Sequence, residues 1–567
     1  MARAGIRLGL VLAAGLAIWL IPAEGGTAGA DLIFTNATVR TVDSSNPSAE
    51  AVAVEAGEIT VVGTNQEAMA QRGAETTVVD LSGKTLIPGF HDVHLHAVEA
   101  GRTANGCYLP SRLSARQYIR RLRGCARRQR GEVWVRAAGP FVQDLLALAI
   151  EPRDLIDRAI PNRPVVILDA LGHAAFVNSE GLRRSGLDTS DRDPAGGAIL
   201  RDSGGRPNGV VLENAQNVVL DAVERPSRQN RQANYASLHD AIGKLSANGI
   251  TSVSDAGGYW PRQHHLAWLQ LSREGKLDVR ASNALWVYPN RSLQSQLHRI
   301  SAIRDAASGP HLAFDQVKLY VDGIVDYGTA ALTKPYLHRP NWAPGGKRGF
   351  TYLSRARLNR TVAAFDRRGF QIHLHVWGDR AAKMALDAIE RARRLNGPPN
   401  RPHRLTHLYL IDRPDLPRFA DLGAVADFQL GEEAISPGYE RFLRGWIGRR
   451  AAAHLLPIAT VLRAGALTTL SSDWDADALS PLKSIERGLT RRGSPERIPD
   501  PATGLQMVTL NSARLLGQAD ETGSIEVGKR ADLVVLNGDP IAVPAARIGE
   551  IRVLQTLLDG RTVYRRP

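Results

Sequence analysis

Pro88-Gly89-Phe90-His91-Asp92-Val93-His94-Leu95-His96 decides the reading of this chain. It follows Lys84-Thr85-Leu86-Ile87, an apolar run that reads as a strand. Residues two apart in a strand face the same side. His94 and His96 therefore project together with Asp92 beside them, while His91 and Leu95 face away. Two imidazoles on one face at a strand end can hold a divalent metal ion. A bare His-x-His is as often a pair of core or surface histidines, so the rest of the chain has to supply the missing ligands.

From Ile87 to about Leu516, short apolar runs alternate with helical stretches, the pattern of parallel β/α units. Candidate strands after the first cover 250–254, 279–287, 314–322, 371–376, 404–411, 424–429 and 467–473. With the first they make eight, the number in a (β/α)8 barrel of the TIM type. Such barrels take ~250 residues. This region is longer, and the surplus lies between the first two strands. Residues from Ala100 to about Tyr235 therefore read as an insertion covering the barrel mouth, with the Gly-rich turn Asp202-Ser203-Gly204-Gly205-Arg206-Pro207 inside it.

Barrel active sites sit at the C-terminal ends of the strands. Those ends carry Lys318, in Lys318-Leu319-Tyr320-Val321-Asp322-Gly323, and His373 and His375 before Trp377-Gly378-Asp379. They also carry His403 and His407, and Asp473 after Ser471-Ser472. Singly, each has an ordinary explanation: an ion-paired lysine, a hydrogen-bonded core histidine, a helix-capping aspartate. The succession His-x-His, Lys, His, His, Asp on consecutive strand ends is instead the pattern of a metal site.

Outside this region, residues 31–86 and 517–567 read as short strands punctuated by Gly, Asn, Asp and Pro, and the simplest reading is one β-sandwich built from both chain ends. Residues 1–30 read as a signal peptide: Arg3 and Arg7, the apolar run Leu8–Ile21, and Ala28-Gly29-Ala30 as cleavage site. The mature protein is then exported, periplasmic or secreted, and not stably inserted in a membrane. The alternative is an uncleaved N-terminal anchor. Cys107 and Cys125 are the only cysteines, flanking a predicted helix over 115–122. In an oxidising compartment they pair as one disulfide. The formal net charge is +14, but the densest arginine cluster, Arg120 to Arg130, reads as a solvated helix face without interleaved aromatics. Nucleic acid is not an expected partner; a small-molecule substrate is, and a homo-oligomer stays open.

The motifs together resemble the amidohydrolase superfamily, and within it the amidohydrolase-3, YtcJ-like group. They are His94-Leu95-His96, Gly172-His173 with Val177-Asn178-Ser179, Lys318 with Asp322-Gly323 and Thr329-Ala330, His375 with Gly378-Asp379-Arg380, His407, Ser472-Asp473-Trp474, and Gly523-Ser524-Ile525-Glu526-Val527-Gly528-Lys529-Arg530-Ala531-Asp532-Leu533. The resemblance implies a two-metal site, most often zinc, with His94 and His96 on one ion and His375 and His407 on the other. Lys318 would bridge them as a carbamate, and Asp473 would complete the first site and act as base. His373 and His403 would stand beside the ligands. His173, Glu213 and Asp322 are candidate substrate contacts. Thr406 departs from the glutamate that many relatives carry there, which removes an expected carboxylate behind the metal ligands.

The expected reaction is hydrolysis of a C–N bond beside a carbonyl, in an amide, N-acyl amine, formamide or cyclic amide. A metal-activated hydroxide attacks and Asp473 moves the proton. The alternatives are a site with one metal ion and an uncarbamylated Lys318, an esterase or other hydrolase on the same metals, and an inactive exported binding barrel.

Overall fold

The computed structural model describes residues 29–567 apart from 105, 106, 308, 433 and 492. The signal peptide expected over residues 1–30 lies, but for its last two residues, outside them. Eight parallel strands form the central sheet: β1 (Phe90–Leu95), β2 (Ile250–Asp255), β3 (Arg280–Trp286), β4 (Leu312–Tyr320), β5 (Gln371–Val376), β6 (Arg404–His407), β7 (Val425–Gln429) and β8 (Thr468–Ser471). Nearly every residue in them is buried, as expected of strands covered on both faces. The seam between β8 and β1 closes at the end of β1 and just past β8, where Leu95 bridges Trp474 in parallel.

The run Thr85–Pro88 is a strand, but not the barrel's. It pairs with Thr38–Arg40 and Leu533–Leu536 in a six-stranded sheet drawn from both chain ends. Gly89 lets the chain pass from that sheet into β1, because a Cβ there would lie 2.1 Å from Thr251 Oγ1. Against this sheet packs a four-stranded one (Ala30–Thr35, Ala51–Glu55, Glu58–Gly63, Arg72–Asp80). Phe34, Val52, Leu86, Leu533 and Leu557 share the core between them.

The insertion contains its own six-stranded sheet, from Cys107–Tyr108 to Pro207–Glu213. Helix α1 (Ala115–Arg128) flanks it. The helix is longer than its sequence pattern predicts, starting at a Ser114–Gln117 capping box and ending with Arg127 and Arg128, which suit the negative end of the helix dipole. Cys125 thus lies within the helix rather than beyond it, and is disulfide-bonded to Cys107 with a Cα separation of 5.7 Å. Helix α2 (Asn214–Val223) leaves the insertion sheet, and α3 (Arg228–Ala247) leads into β2. Tyr235 is therefore part of a barrel helix, and the insertion ends some residues before it. Helix α4 (Pro437–Ile447) stands at the mouth after β7. No helix among the described residues is long and apolar enough to cross a membrane.

Candidate functional site

The C-terminal strand ends bring His94, His96, His407 and Asp473 together. Asp473 Oδ1 lies 3.1 Å from His94 Nε2 and 3.5 Å from His96 Nε2, and its Oδ2 lies 3.8 Å from His407 Nδ1. One ligand atom each from His94, His407 and Asp473 fall within 4.8 Å of one another. His375 joins the group with its ring 4.4 Å from that of His407, and it stacks on Tyr320 at 4.0 Å. His407 and Asp473 hold left-handed backbone, φ 74° and 54°. Such conformations cost about 1–3 kcal/mol and cluster at functional sites.

The protonation states of three of these histidines favour metal binding. Burial holds His94 and His375 well below the ordinary imidazole value and pushes His407 down to about 3, so all three are neutral. Both ring nitrogens of His375 and Nε2 of His407 are buried without a hydrogen-bond partner. Orphaned buried nitrogens are rare and costly, and a metal ion would satisfy them. Burial opposes charge on His96 as well, but hydrogen bonds with Asp473 and Glu99 raise it to about 10. Asp473 sits deep in the molecule, yet a fifth of its side chain, 21%, remains open to the cavity. Burial works against its carboxylate, but His94 and its neighbours hold it well below the usual range, so it is ionised.

Lys318 points at the same place. Its Nζ lies 3.4 Å from His94 Nδ1 and 3.4 Å from His373 Nε2. Burial pushes this amine well below its usual range, and a neutral amine is the form that adds carbon dioxide. Behind His94, Arg404 donates to His373 Nδ1 at 2.7 Å, and His373 Nε2 lies 2.8 Å from His94 Nδ1. Thr406 Oγ1 lies 3.2 Å from His94 Nδ1 and donates to Asp427 at 2.8 Å. A carboxylate therefore does stand behind His94, one hydroxyl removed and from the next strand. Two histidines face elsewhere: His403 meets Asp366 at 2.9 Å, and His91 meets Thr522 at 3.0 Å.

The insertion contributes His173 and Glu213. Glu213 is fully buried, takes φ 56° and ψ −128° just before α2, and meets His173 Nδ1 at 2.7 Å. It also accepts from the hydroxyls of Tyr352 and Thr329. Burial opposes charge on His173, but Glu213 raises its pKa. Gly323 is required here, because a Cβ would meet Glu213 Oε1 at 2.1 Å. Asp322, expected as a substrate contact, is fully buried. Its carboxylate receives the backbone N–H groups of Ala331, Trp377 and Gly378 at 2.7, 3.0 and 2.9 Å. It anchors the loop after β5 and lines neither lobe of the cavity described next. Glu99, which orients His96 at 2.9 Å, was missed in the sequence; its i,i+3 spacing from His96 was the available signal.

The cavity above these groups has two lobes that meet at His173, His407 and Asp473. One, of about 390 Å³, lies under the insertion sheet and is lined by tyrosines, carboxylates and amides. The other, of about 620 Å³, is lined by aromatic side chains such as Trp377 and Tyr409 together with the carboxylates of Asp144, Asp326, Glu432 and Asp477, and opens beside α4.

Comparison with known proteins agrees with this geometry. The sequence model of a family described as "Amidohydrolase family" matches residues 77–564. An N-substituted formamide deformylase of Arthrobacter pascens is 29% identical over 94% of this chain and 98% of its own. YtcJ of Bacillus subtilis is 26% identical over 91% of this chain and 96% of its own. Among solved structures, an uncharacterized metal-dependent hydrolase from Pyrococcus furiosus superposes with a TM-score of 0.70 at 23% identity, covering 90% of this chain and 99% of that one, which shows the shared fold.

Proposed function

Because the chain belongs to the amidohydrolase family, whose members are hydrolases of carbon–nitrogen bonds, we propose that it cleaves a C–N bond beside a carbonyl in an amide, N-acyl amine, formamide or cyclic amide. The observation that carries this reading is the ionised Asp473 carboxylate set among His94, His96 and His407, beside buried imidazole nitrogens that have no partner.

That donor set suits zinc, which takes imidazole and carboxylate ligands. His94, His96, His375, His407 and Asp473 would hold the metal, with Lys318 as a bridging carbamate if two ions bind. Bound metal supplies two effects: it polarises the carbonyl and lowers the pKa of an attacking water. The chain's own groups do the rest. Asp473 accepts a proton from the water as its oxygen adds to the carbonyl carbon. It then returns that proton to the departing nitrogen as the C–N bond breaks. The products are a carboxylic acid and an amine. His173, held by Glu213, faces the junction of the two lobes and orients the substrate there. The relay Arg404–His373–His94 and the pair Thr406–Asp427 fix the His94 ring.

A reading with one metal ion has its own support. The ligand atoms that converge belong to His94, His407 and Asp473, while the Lys318 amine packs against the rings of His94 and His373. In that reading Lys318 stays an uncharged amine.

The compartment we propose is exported, periplasmic or secreted; the Cys107–Cys125 disulfide suits an oxidising environment. The proposed partner is a small molecule, not nucleic acid. The test is metal analysis of the purified protein together with an amide panel assayed on wild type and Asp473→Asn. Bound zinc and a loss of turnover in the variant are expected. Full turnover in Asp473→Asn, or no metal after metal-replete expression, would overturn the reading.

A further inference from the structure

The short segment between β2 and the helix that begins at His264 touches both the insertion and the metal-ligand candidates. Gly257 packs against the His96–Glu99 pair: a Cβ there would lie 3.1 Å from Glu99 Oε2 and 3.2 Å from His96 Nδ1. Arg262 ends a single helical turn, Trp260–Arg262. Its side chain is 1% exposed and lies behind the cavity wall rather than in it.

The Arg262 guanidinium is shared between the two sides. Nε donates to Asp221 Oδ1 at 2.9 Å and a terminal nitrogen donates to Asn217 Oδ1 at 2.6 Å, both on α2. The other terminal nitrogen lies 3.6 Å from Glu99 Oε1, and Glu99 holds His96 at 2.9 Å. Cζ lies over the Tyr259 ring, 4.0 Å from its centroid. The backbone is pinned as well, because the Arg262 carbonyl accepts from Asn234 Nδ2 on α3 at 3.0 Å. His264 makes a second clasp: it meets Glu224, just past the end of α2, at 3.0 Å and the Gly257 carbonyl at 2.9 Å.

A guanidinium is planar and holds its donors in fixed directions, so a shift at one partner is passed to the others. Helix α2 begins directly after Glu213, which holds His173. One buried cation therefore stands between the helix that follows the insertion's contribution to the site and the carboxylate behind a proposed metal ligand. Groups in that position set the ring's orientation and the metal affinity. Glu99, Asn217 and Tyr259 also line the smaller lobe, so Arg262 supports that wall from behind.

Resting on the metal-dependent hydrolase reading above, we propose that Arg262 is a positioning residue that couples the seating of the insertion to the orientation of His96. It acts through Glu99 on one side and through Asn217 and Asp221 on the other.

The experiment cuts the link on the insertion side with Asn217→Leu, at a side chain whose hydrogen bond goes to Arg262 and not to a proposed metal ligand. The zinc Kd of the full chain, measured by chelator competition, should rise about tenfold, with the far-ultraviolet circular dichroism unchanged. Glu99→Leu should raise it too, and in the Glu99→Leu background Asn217→Leu should add little. Arg262→Lys keeps the charge but loses the fork, and should weaken zinc as Asn217→Leu does. Wild-type zinc affinity in Asn217→Leu, or effects of Asn217→Leu and Glu99→Leu that simply add, would overturn the proposal while leaving the hydrolase reading intact. If Arg262→Lys fails to fold, the Asn217–Glu99 cycle still decides. If the wild-type protein binds no zinc, the metal reading fails, and the coupling is read from the His96 imidazole resonance of the metal-free protein, assigned with His96→Gln. Asn217→Leu should shift that resonance, and an unshifted one would overturn the coupling.

Discussion

Asp473 and His94 are joined twice: the Asp473 backbone N–H donates to the His94 carbonyl at 2.8 Å, and the Asp473 carboxylate lies 3.1 Å from His94 Nε2. The barrel seam and the proposed base are therefore one feature. The bond that brings the end of β8 to the end of β1 also aims the carboxylate at the imidazoles, and it does so with φ at 54°. Asparagine tolerates left-handed backbone and keeps the side-chain shape. Asp473→Asn should therefore fold with an unchanged melting temperature while kcat falls about 10²–10⁴-fold, the range of a lost general base. Circular dichroism beside steady-state kinetics checks both halves.

Lys318 separates the two metal readings. If it bridges as a carbamate, wild-type protein expressed with zinc and bicarbonate should hold two ions per chain, and Lys318→Ala should hold one. If the amine stays free, the metal-to-protein ratio is the same in both. Elemental analysis of dialysed protein gives the ratio, and native mass spectrometry shows whether carbon dioxide is bound.

The insertion reaches the site through Glu213, and Gly323 is the clearance that allows it. A Cβ at Gly323 would lie 2.1 Å from Glu213 Oε1 and 2.3 Å from Thr329 Oγ1, inside any real contact. Gly323→Ala should displace Glu213 and with it His173. A displacement near 1 Å in a positioning group costs roughly a hundredfold in rate, so kcat/KM should fall by about that factor. Metal content should stay unchanged, since neither residue is in the proposed ligand set. A wild-type kcat/KM would remove Glu213 from the working site.

The ligand candidates were legible because they are local. His94 and His96 share a strand face by the two-residue period, and Lys318, His375, His407 and Asp473 each sit at the end of an apolar run. What stayed hidden depends on contacts between distant segments. Thr406 read as the loss of a carboxylate, yet Asp427, 21 residues away, supplies one through the Thr406 hydroxyl. Asp322 read as a substrate contact because it ends an apolar run, and nothing local shows that three loop N–H groups claim it. Ile87 read as the first residue of the barrel region, and only its pairing with Val534 shows that it stays with Thr85 and Leu86 in the other sheet.

The disulfide should matter to both stability and the cavity. It closes a loop with a sequence separation of 18, for which chain entropy suggests ~3 kcal/mol. Tyr108, next to Cys107, lines the smaller lobe. Cys107→Ser with Cys125→Ser should lower stability by about that amount in denaturant titration. It should also raise KM more than it lowers kcat, because the proposed metal ligands lie on other elements.

Arg280 ties the sandwich to the barrel and sets an acid limit on stability. It stands at the start of β3 and donates to Asp532 at 2.8 Å and to Asp559, which His311 also meets at 2.8 Å. Burial works against the Asp559 carboxylate, but His311 and Arg280 bring it down to about 2. An unfolded aspartate titrates near 3.9. The folded state therefore binds the proton less readily, and the stabilisation is full above about pH 4 and fades as pH falls toward 2. Metal-free wild type should melt higher than Asp559→Asn at pH 7, and the gap should narrow between pH 4 and pH 2. A gap that stays constant over that interval would assign the effect to hydrogen bonding that asparagine fails to reproduce, rather than to the charge on Asp559.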